Sequence, residues 1–195
     1  ILAASGTLNR QMGGPSIKVP MEPEVIETIF TEFEPDNLWP VNPDPAQHTR
    51  RSLYLLRKRN VRLPLLVAYD APDLMSVCGA RNVSTHALQS LSMMNSSFMQ
   101  SQSRALAARI LSAAKPENSR LRLMFRMVLG RGPTVAELEK ARRFLRAQQG
   151  LISQSSSKKE KAGPAPPAGE SPTVFAVWTD LALAMLNLNE FVYLK

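Results

Sequence analysis

The sequence predicts an all-α fold, an irregular multi-helix bundle with a long Pro-rich N-terminal loop and a disordered linker before the last helix. Two observations favour this class. Apolar residues recur at spacings of three and four over most of the chain beyond residue 84, between capping residues and glycines. No run shows the apolar–polar alternation of period two that a half-buried strand requires. We therefore expect one helical domain over residues 1–195.

Residues 1–46 are predicted to form an acidic, loop-rich segment ahead of a helical body over residues 47–150. We expect the tail of a short helix at the start, followed by a turn rich in Gly and Asn. Residues 24–33 have apolar side chains on one face and predict a short helix. An extended loop follows, because the chain there holds four prolines: Pro35, Pro40, Pro43 and Pro45. Residues 47–59 are predicted to be helical, and Pro64 and Pro72 bracket another short element.

Two helices are predicted between residues 84 and 115 from their capping residues. Ser84 or Thr85 can cap the first, which carries apolar residues at spacing three: Leu88, Leu91 and Met94. Asn95-Ser96-Ser97 interrupts it and can cap the second. The inward residues of that second helix are predicted to be Met99, Leu106, Ile110 and Ala113.

Two more helices and a linker complete the chain. Residues 119–129 predict a helix with Gly130 as its C′ residue and these residues inward: Leu121, Met124, Phe125 and Val128. Thr134 and Glu137 form a capping box for a helix with Gly150 after it and these residues inward: Leu138, Ala141 and Leu145. Residues 151–172 are too polar and Pro-rich to pack and predict a flexible linker. Residues 173–195 carry a wide apolar face, so this last helix is predicted to pack back on the body.

Composition excludes several classes of protein. With 44% hydrophobic and 21% charged residues, the chain is ordinary for a globular domain. No apolar run approaches the roughly 18 residues that cross a bilayer. Cys78 is the only cysteine, which excludes a disulfide within the chain. Because the chain starts at Ile1 without Met, we expect an internal fragment or a processed product, with any targeting signal outside it.

The net charge of +8 is unevenly distributed. Residues 1–45 carry two bases and seven acids, a net charge of −5, whereas residues 46–195 carry 22 bases and nine acids, a net charge of +13. Sixteen Arg against eight Lys favour planar, bidentate contacts with carboxylate, phosphate or sulfate. The basic part is predicted to attract an acidic partner, unless the acidic segment folds against it and neutralises part of its charge.

The charged residues concentrate between residues 50 and 89, in R-R-S-L-Y-L-L-R-K-R, A-Y-D-A-P-D and C-G-A-R-N-V-S-T-H-A-L-Q. We predict a polar, anion-binding site there, formed by Arg51, Arg59, Asp70, Asp73, Cys78 and Arg81. Alternatively, several of the arginines pair with the acidic segment or with the two aspartates. Nucleic acid is not favoured as a partner, because only Tyr54 is interleaved with the bases for stacking.

Asp70 and Asp73, followed by Cys78 and His86, also allow a mixed metal site or an acid–base pair. The spacing is weak for both, since zinc ligands come in tighter pairs and D-A-P-D is a common turn. A network in which Arg81 satisfies both carboxylates is favoured, with no metal, and Cys78 is interpreted as a small buried residue. The catalytic residues, if any, stay unknown. The chain has no C-x-x-C-H motif and therefore attaches no haem c itself.

Seven blocks along the chain resemble successive motifs of one family. They are S-G-T-L-N-R-Q-M-G-G-P-S (5–16), R-R-S-L-Y-L-L-R-K-R (50–59), A-Y-D-A-P-D (68–73), C-G-A-R-N-V-S-T (78–85), A-L-Q-S-L-S-M-M-N (87–95), V-L-G-R-G-P-T-V-A-E-L (128–138) and L-N-L-N-E-F-V-Y (186–193). The chain thereby resembles the C-terminal domain of unknown function of planctomycete-type cytochrome c proteins, called the PSD-one domain. The blocks occur in order and cover nearly everything except the linker.

The resemblance implies an exported, extracytoplasmic parent protein (periplasm or cell envelope) with a haem-binding cytochrome c domain upstream and no cofactor in this segment. It implies no reaction for this domain. By position, it carries over these polar motif residues: Arg51, Arg59, Asp70, Asp73, Cys78, Arg81, Ser84, Gln89 and Asn95. The family often has Pro before the L-Q pair, where this chain has Ala87, which puts in doubt any role that needs a kinked helix start.

The function predicted first is a non-catalytic interaction domain whose Arg-rich surface docks an acidic partner, either an upstream domain of the parent protein or an anionic polysaccharide. One alternative is an enzyme, a polysaccharide-related hydrolase or a redox protein, using Asp70, Asp73 and Arg81. Another is a basic nucleic-acid-binding domain, whose affinity falls steeply with salt.

Overall fold

Helices dominate the described part of the chain. The computed structural model describes residues 1–22, 25–26, 39–59, 61–80, 84–154 and 163–193. Within these residues it has eight α-helices and no strand, which confirms the all-α class. They are α1 (Leu2–Ser5), α2 (Pro64–Ala68), α3 (Ala87–Asn95), α4 (Ser97–Ala113), α5 (Glu117–Leu129), α6 (Val135–Gln154), α7 (Pro172–Leu186) and α8 (Asn189–Val192).

The chain divides into two compact units. Residues 1–7 and 93–195 form one, here called the helical unit, and residues 8–92 form the other, here called the loop unit. The helical unit contains α1 and α4 to α8, whereas the loop unit contains α2 and most of α3. A single domain over residues 1–195 stays a prediction.

The core of the helical unit is built on α4 and α7. Ser96 caps α4 as predicted, since its Oγ accepts a hydrogen bond from the Met99 N–H at 3.3 Å. The predicted inward residues Met99, Leu106 and Ile110 are completely buried. Ala113 is exposed instead, because it lies in the last turn, where α4 leaves the core. α7 packs against both α4 and α6, and its buried residues are Phe175, Val177, Trp178, Thr179, Leu181, Ala182, Met185 and Leu186.

The helix ends predicted around residue 130 are confirmed. Gly130 terminates α5 with φ 71°, a left-handed conformation that glycine adopts without a Cβ clash. The Thr134 N–H donates to the Glu137 carboxylate at 2.7 Å, and the Glu137 N–H donates to Thr134 Oγ1 at 3.2 Å, which is the predicted capping box. The predicted inward faces of α5 and α6 are buried: Leu121, Met124, Phe125, Val128, Leu138, Ala141 and Leu145.

The predicted end of α6 at Gly150 is wrong, because the helix continues to Gln154. A helix-interior glycine costs only about 1 kcal/mol, which a helix of this length tolerates. Of the flexible linker predicted over residues 151–172, residues 151–154 belong to α6 and residues 155–162 lie outside the described residues. Two of the residues that remain, Pro164 and Glu170, are bound by arginines. Arg104 donates to the Pro164 carbonyl at 2.8 and 3.1 Å, and Arg120 pairs with Glu170.

The S-G-T block attaches α1 to α4. Gln102 Oε1 accepts hydrogen bonds from Ser5 Oγ at 2.8 Å and from Thr7 Oγ1 at 2.6 Å. Gly6 lies between them with φ 84°, and a Cβ there would stand 3.0 Å from Arg109 Cδ. This position therefore requires glycine for its backbone conformation and for the close approach of Arg109.

The helix predicted over residues 47–59 is wrong. Two 3₁₀ turns lie in or beside this span, at Pro45–Gln47 and Ser52–Tyr54, and the residues around them are not helical. The backbone instead pairs with residues 9–17, since the Asn9 N–H donates to the Thr49 carbonyl at 3.0 Å. Leu56 donates to the Ile17 carbonyl at 2.8 Å. These non-local hydrogen bonds replace the i→i−4 bonds of a helix.

The rest of the loop unit is held by short elements. α2 lies between Pro64 and Pro72 as predicted, with Pro64 at its first position. Met21, Trp39 and Val61 form a small apolar core, and Trp39 Nε1 donates to the Val19 carbonyl at 2.8 Å. Of the helix predicted over residues 24–33, only residues 25 and 26 lie among the described residues, and both are helical. Of the predicted Pro-rich loop, Pro35 lies outside them.

The face of α3 differs from the one predicted. Its apolar residues at spacing three are each more than half exposed: Leu88, Leu91 and Met94. Gln89 and Met93, four residues apart, are buried instead, and Gln89 Nε2 donates to the Ser84 carbonyl at 2.9 Å. α3 begins at Ala87, so His86 precedes its first residue rather than Ser84 or Thr85. Which side chains of α3 are buried therefore depends on tertiary packing and not on the apolar spacing in the sequence.

Candidate functional site

The first arginine of the basic run is a structural residue. Arg50 is only 3% exposed. Its guanidinium donates to the carbonyls of Gly13, of Gln11 at 3.4 Å and of Pro15 at 3.5 Å, and it stacks 3.7 Å from the centre of the Tyr54 ring. Arg50 therefore satisfies the backbone of the loop over residues 11–15 and has no part in a surface site.

The later part of the run lines a cleft within the loop unit. This cleft lies between residues 56–58 and 61–63, α2 and the turn over residues 71–74. Its described lining residues are Leu56, Arg57, Lys58, Val61, Arg62, Leu63, Leu66, Val67, Ala71, Pro72, Asp73 and Leu74. The floor is continuous with the apolar core, since Leu56 and Leu63 pack against it and Val61 belongs to it.

Two arginines bridge the walls of the cleft. The Arg57 guanidinium donates to the Pro72 carbonyl, and Arg62 Nη2 lies 3.4 Å from Asp73 Oδ2. Three cations and one carboxylate, Asp73, therefore surround an apolar floor among the described lining residues. The geometry suits an anionic group that is attached to an apolar body.

The two carboxylates of the D-A-P-D motif bind different segments, Asp70 the distant Ser84 and Asp73 the turn that follows it. Asp70, at φ 54°, accepts hydrogen bonds from the Ser84 N–H at 2.7 Å and from Ser84 Oγ at 2.7 and 2.9 Å. Asp73 Oδ1 accepts from the N–H groups of Ser76 at 3.1 Å and Met75 at 3.0 Å and from Ser76 Oγ at 3.1 Å. The backbone hydrogen bonds from Ser76 and Met75, followed by the Ser76 hydroxyl and the nearby Arg62 charge, lower the pKa of Asp73. Neither carboxylate is arranged for acid–base chemistry by these contacts, so the catalytic pair stays a prediction without structural support.

The predicted site residues are only partly brought together. Asp73 lines the cleft, whereas Arg51 and Arg59 are exposed and do not. Cys78 is exposed, so its interpretation as a buried residue is wrong. It lies in a loop, residues 74–80, whose side chains are all exposed, and its Sγ contacts the Ala80 carbonyl at 3.1 Å. Arg81 lies outside the described residues, and its predicted contact with the carboxylates stays a prediction.

Arg57, Lys58 and Arg62 were missing from the predicted site. The sequence signal for them is the run L-R-K-R-N-V-R-L over residues 56–63, in which four bases lie beside Leu56, Val61 and Leu63. Reading this run as extended chain does not separate its cations from its apolar residues, since Leu56 shares its face with Lys58 and Arg62. Among the described residues, no group of His, Cys, Asp and Glu could hold a metal ion. No described helix is long and apolar enough to cross a membrane.

A second charged cluster, in the helical unit, links three elements. The Arg131 guanidinium contacts the Glu137 carboxylate at 2.7 and 3.0 Å and the Glu190 carboxylate at 2.6 and 2.7 Å. The Arg131 hydrogen bonds, followed by that of the Thr134 N–H, lower the pKa of Glu137 to about 2. The same contacts, that to Glu190 first, raise the pKa of Arg131. Because one guanidinium binds both carboxylates, we interpret this cluster as a clamp between the start of α6 and α8.

Comparison of the sequence with known protein families gives one match. The chain belongs to the PSD1 family, described as a protein of unknown function (DUF1553), whose model matches residues 1–145. This confirms the family that the sequence motifs resemble. Six of the seven blocks lie within the matched residues, and the block over residues 186–193 lies outside them. No curated protein and no solved structure matches the chain. The matched residues include the whole loop unit with its cleft.

Proposed function

We propose that this domain is an interaction module whose loop unit docks an acidic segment of a partner protein in the cleft. The observation that carries the proposal is the set of described lining residues, in which three bases, Arg57, Lys58 and Arg62, occur with one carboxylate and several apolar residues. A cleft with an excess of one charge sign concentrates oppositely charged ligands. An acidic polypeptide segment fits the charge of this cleft.

The internal contacts of the two arginines support docking. A guanidinium has five N–H donors, and the contacts to Pro72 and Asp73 occupy only part of them. These contacts fix the two arginines in place before a ligand arrives, which lowers the entropy cost of binding. Two further bases of the same unit, Arg51 and Arg59, are exposed and add to its positive field.

The partner we propose is another domain of the parent polypeptide, in an exported protein. Anionic polysaccharide fits less well, because a sugar chain offers no apolar group for the floor formed by Val61, Leu63 and Leu66. An enzyme using Asp70 and Asp73 has less support, since each carboxylate accepts a backbone N–H, that of Ser84 for Asp70 and that of Ser76 for Asp73. Nucleic acid has no aromatic platform in the cleft.

The test measures binding of poly-L-glutamate to the full chain by isothermal titration calorimetry. Lys58→Glu with Arg62→Glu changes the cleft charge, and we expect at least a tenfold loss of affinity, since two attractive charges become repulsive. Arg51→Glu with Arg59→Glu is the matched control, with the same change in net charge outside the cleft lining. We expect it to lose no more than about threefold through the long-range field.

Two outcomes would contradict the proposal. Equal losses in both double variants mean that binding follows net charge and not the cleft. Undetectable binding of poly-L-glutamate to the unmodified chain at low ionic strength removes the docking function altogether. Circular dichroism of both variants verifies that they keep their helices.

A further inference from the structure

Exposed apolar side chains continue from the wall of the cleft onto the neighbouring loop. Val67 and Leu74 line the cleft and are each about two-fifths exposed, while Met75 is 67% and Val77 100% exposed. Single exposed apolar residues are ordinary on a protein surface, but a group of them beside a polar rim is typical of an interaction site. The group lies within residues 67–77, and two of its members, Val67 and Leu74, line the cleft together with the cations.

The loop that carries these residues is held in place by Asp73. Its carboxylate accepts the N–H groups of Met75 and Ser76, which fixes the turn immediately after Leu74. The backbone at Leu74 and Met75 is thereby pre-organised, so a ligand that contacts their side chains pays less ordering entropy. Asp73 thus has a positioning role at the edge of the cleft.

At physiological ionic strength, charge alone supplies little affinity in this cleft. Arg62 already has Asp73 as a partner, Arg57 already donates to a carbonyl, and the described lining residues carry a net charge of only +2 from three bases and one acid. Exposed ion pairs contribute little to binding at physiological salt, because water and ions screen them. A specific ligand therefore needs apolar contact as well.

We infer that the docked segment is amphipathic, with acidic residues interleaved with large apolar ones. This inference rests on the proposed docking function and adds the chemistry of the partner. The carboxylates contact Arg57, Lys58 and Arg62, while the apolar side chains contact Val67, Leu74 and Met75. Val77, completely exposed, extends the apolar contact beyond the cleft.

Two synthetic peptides of equal length test this, one alternating Glu with Leu and the other alternating Glu with Ser. Their binding to the full chain is measured by fluorescence anisotropy at physiological ionic strength. We expect the Glu/Leu peptide to bind at least tenfold more tightly than the Glu/Ser peptide. Leu74→Ser with Met75→Ser should remove that advantage. Leu53→Ser with Leu91→Ser is the matched control, since both leucines are more than half exposed and lie in the same unit outside the cleft lining.

The outcomes separate this inference from the proposed function. The inference is overturned if the two peptides bind equally, or if the advantage of Glu/Leu survives Leu74→Ser with Met75→Ser. The docking function is still supported in that case if Lys58→Glu with Arg62→Glu weakens the binding of both peptides. Loss of the advantage in the Leu53/Leu91 control also overturns the inference, since any exposed apolar residue would then suffice. If neither peptide binds the unmodified chain, both proposals are wrong. Val67→Ser is a second test of the apolar contact, for use if Leu74→Ser with Met75→Ser changes the structure of the loop.

Discussion

The most buried residues of the helical unit are mainly apolar, and Met99, Leu106 and Ile110 have no exposed surface. In the loop unit, by contrast, a cation, Arg50, is as buried as the apolar core residue Val61. The helical unit is stabilised mainly by apolar side chains removed from water between α4, α6 and α7. The loop unit has a smaller apolar core around Met21, Trp39 and Val61 and depends on side chains that donate to backbone carbonyls.

This difference follows from how each unit satisfies its backbone. A helix pairs nearly all its own N–H and C=O groups, so its side chains remain available for packing. A segment with few regular elements must find partners for those groups elsewhere. Arg50 and Arg57 provide them in the loop unit, where they donate to carbonyls in two different loops. The basic run is therefore partly a scaffold: Arg50 is buried in this role, whereas Arg57 has it and also lines the cleft.

The largest expected effect is in the core of the helical unit. Leu106→Ala should lower its free energy of unfolding by about 2–5 kcal/mol, because a fully buried leucine leaves a cavity. Urea unfolding is followed by fluorescence of Trp178 in a Trp39→Phe background, since each unit contains one of the two tryptophans. Leu151→Ala, at an exposed position of α6, should change stability by less than about 0.5 kcal/mol. Similar losses in the two variants would mean that Leu106 is not in a packed core.

An intermediate effect is expected at Arg50. Arg50→Met removes charged donors and leaves the Gly13 and Gln11 carbonyls without a partner, so the loop unit should lose about 2–3 kcal/mol. Trp39 fluorescence in a Trp178→Phe background reports unfolding of this unit. The neighbouring Arg51→Met is the control and should be nearly neutral, because Arg51 is exposed. If Arg51→Met destabilises the unit as much as Arg50→Met, the scaffold role assigned to Arg50 is wrong.

The smallest effect is expected at the surface clamp of the helical unit. The pKa of Glu137 is lowered from 4.5 to about 2 in the folded chain, so its contribution to stability is present above pH 4.5 and is lost as the pH falls toward 2. The contribution is at most about 1 kcal/mol, since the pair is partly exposed. Glu137→Gln should reduce the fall of the thermal unfolding midpoint between pH 4.5 and 2. Glu139→Gln, at an exposed position of the same helix, should leave that fall unchanged. An unchanged pH profile in Glu137→Gln would show that the clamp does not stabilise the fold.

The same contrast explains which elements could be predicted. The capping box of Thr134 and Glu137, the cap at Ser96 and the terminating Gly130 were found because each is a local signal, formed by residues within four positions of one another. The buried faces of α5 and α6 followed from the helical period for the same reason. Where the signal was a single residue inside a helix, as at Gly150, the prediction was wrong.

The candidate site was harder to predict, since its residues depend on the path of an irregular segment. Residues 47–59 were predicted to form a helix, whereas the structure has only short 3₁₀ turns in or beside this span. Of the predicted site residues, Asp73 lines the cleft, while Arg51 and Arg59 lie outside its lining. Cys78, expected in a core, lies in an exposed loop. The exposed apolar face of α3 likewise contradicts its sequence spacing.

By itself, the sequence determined the all-α class, the caps and inward faces of the long helices, and the family. Only the tertiary structure decided that Arg50 is a buried scaffold residue while Arg57, Lys58 and Arg62 line a cleft. The physical reason is the range of the interactions involved. A helix is specified by neighbours in the chain, whereas the path of the basic run is set by hydrogen bonds to residues 9–17, about forty positions away.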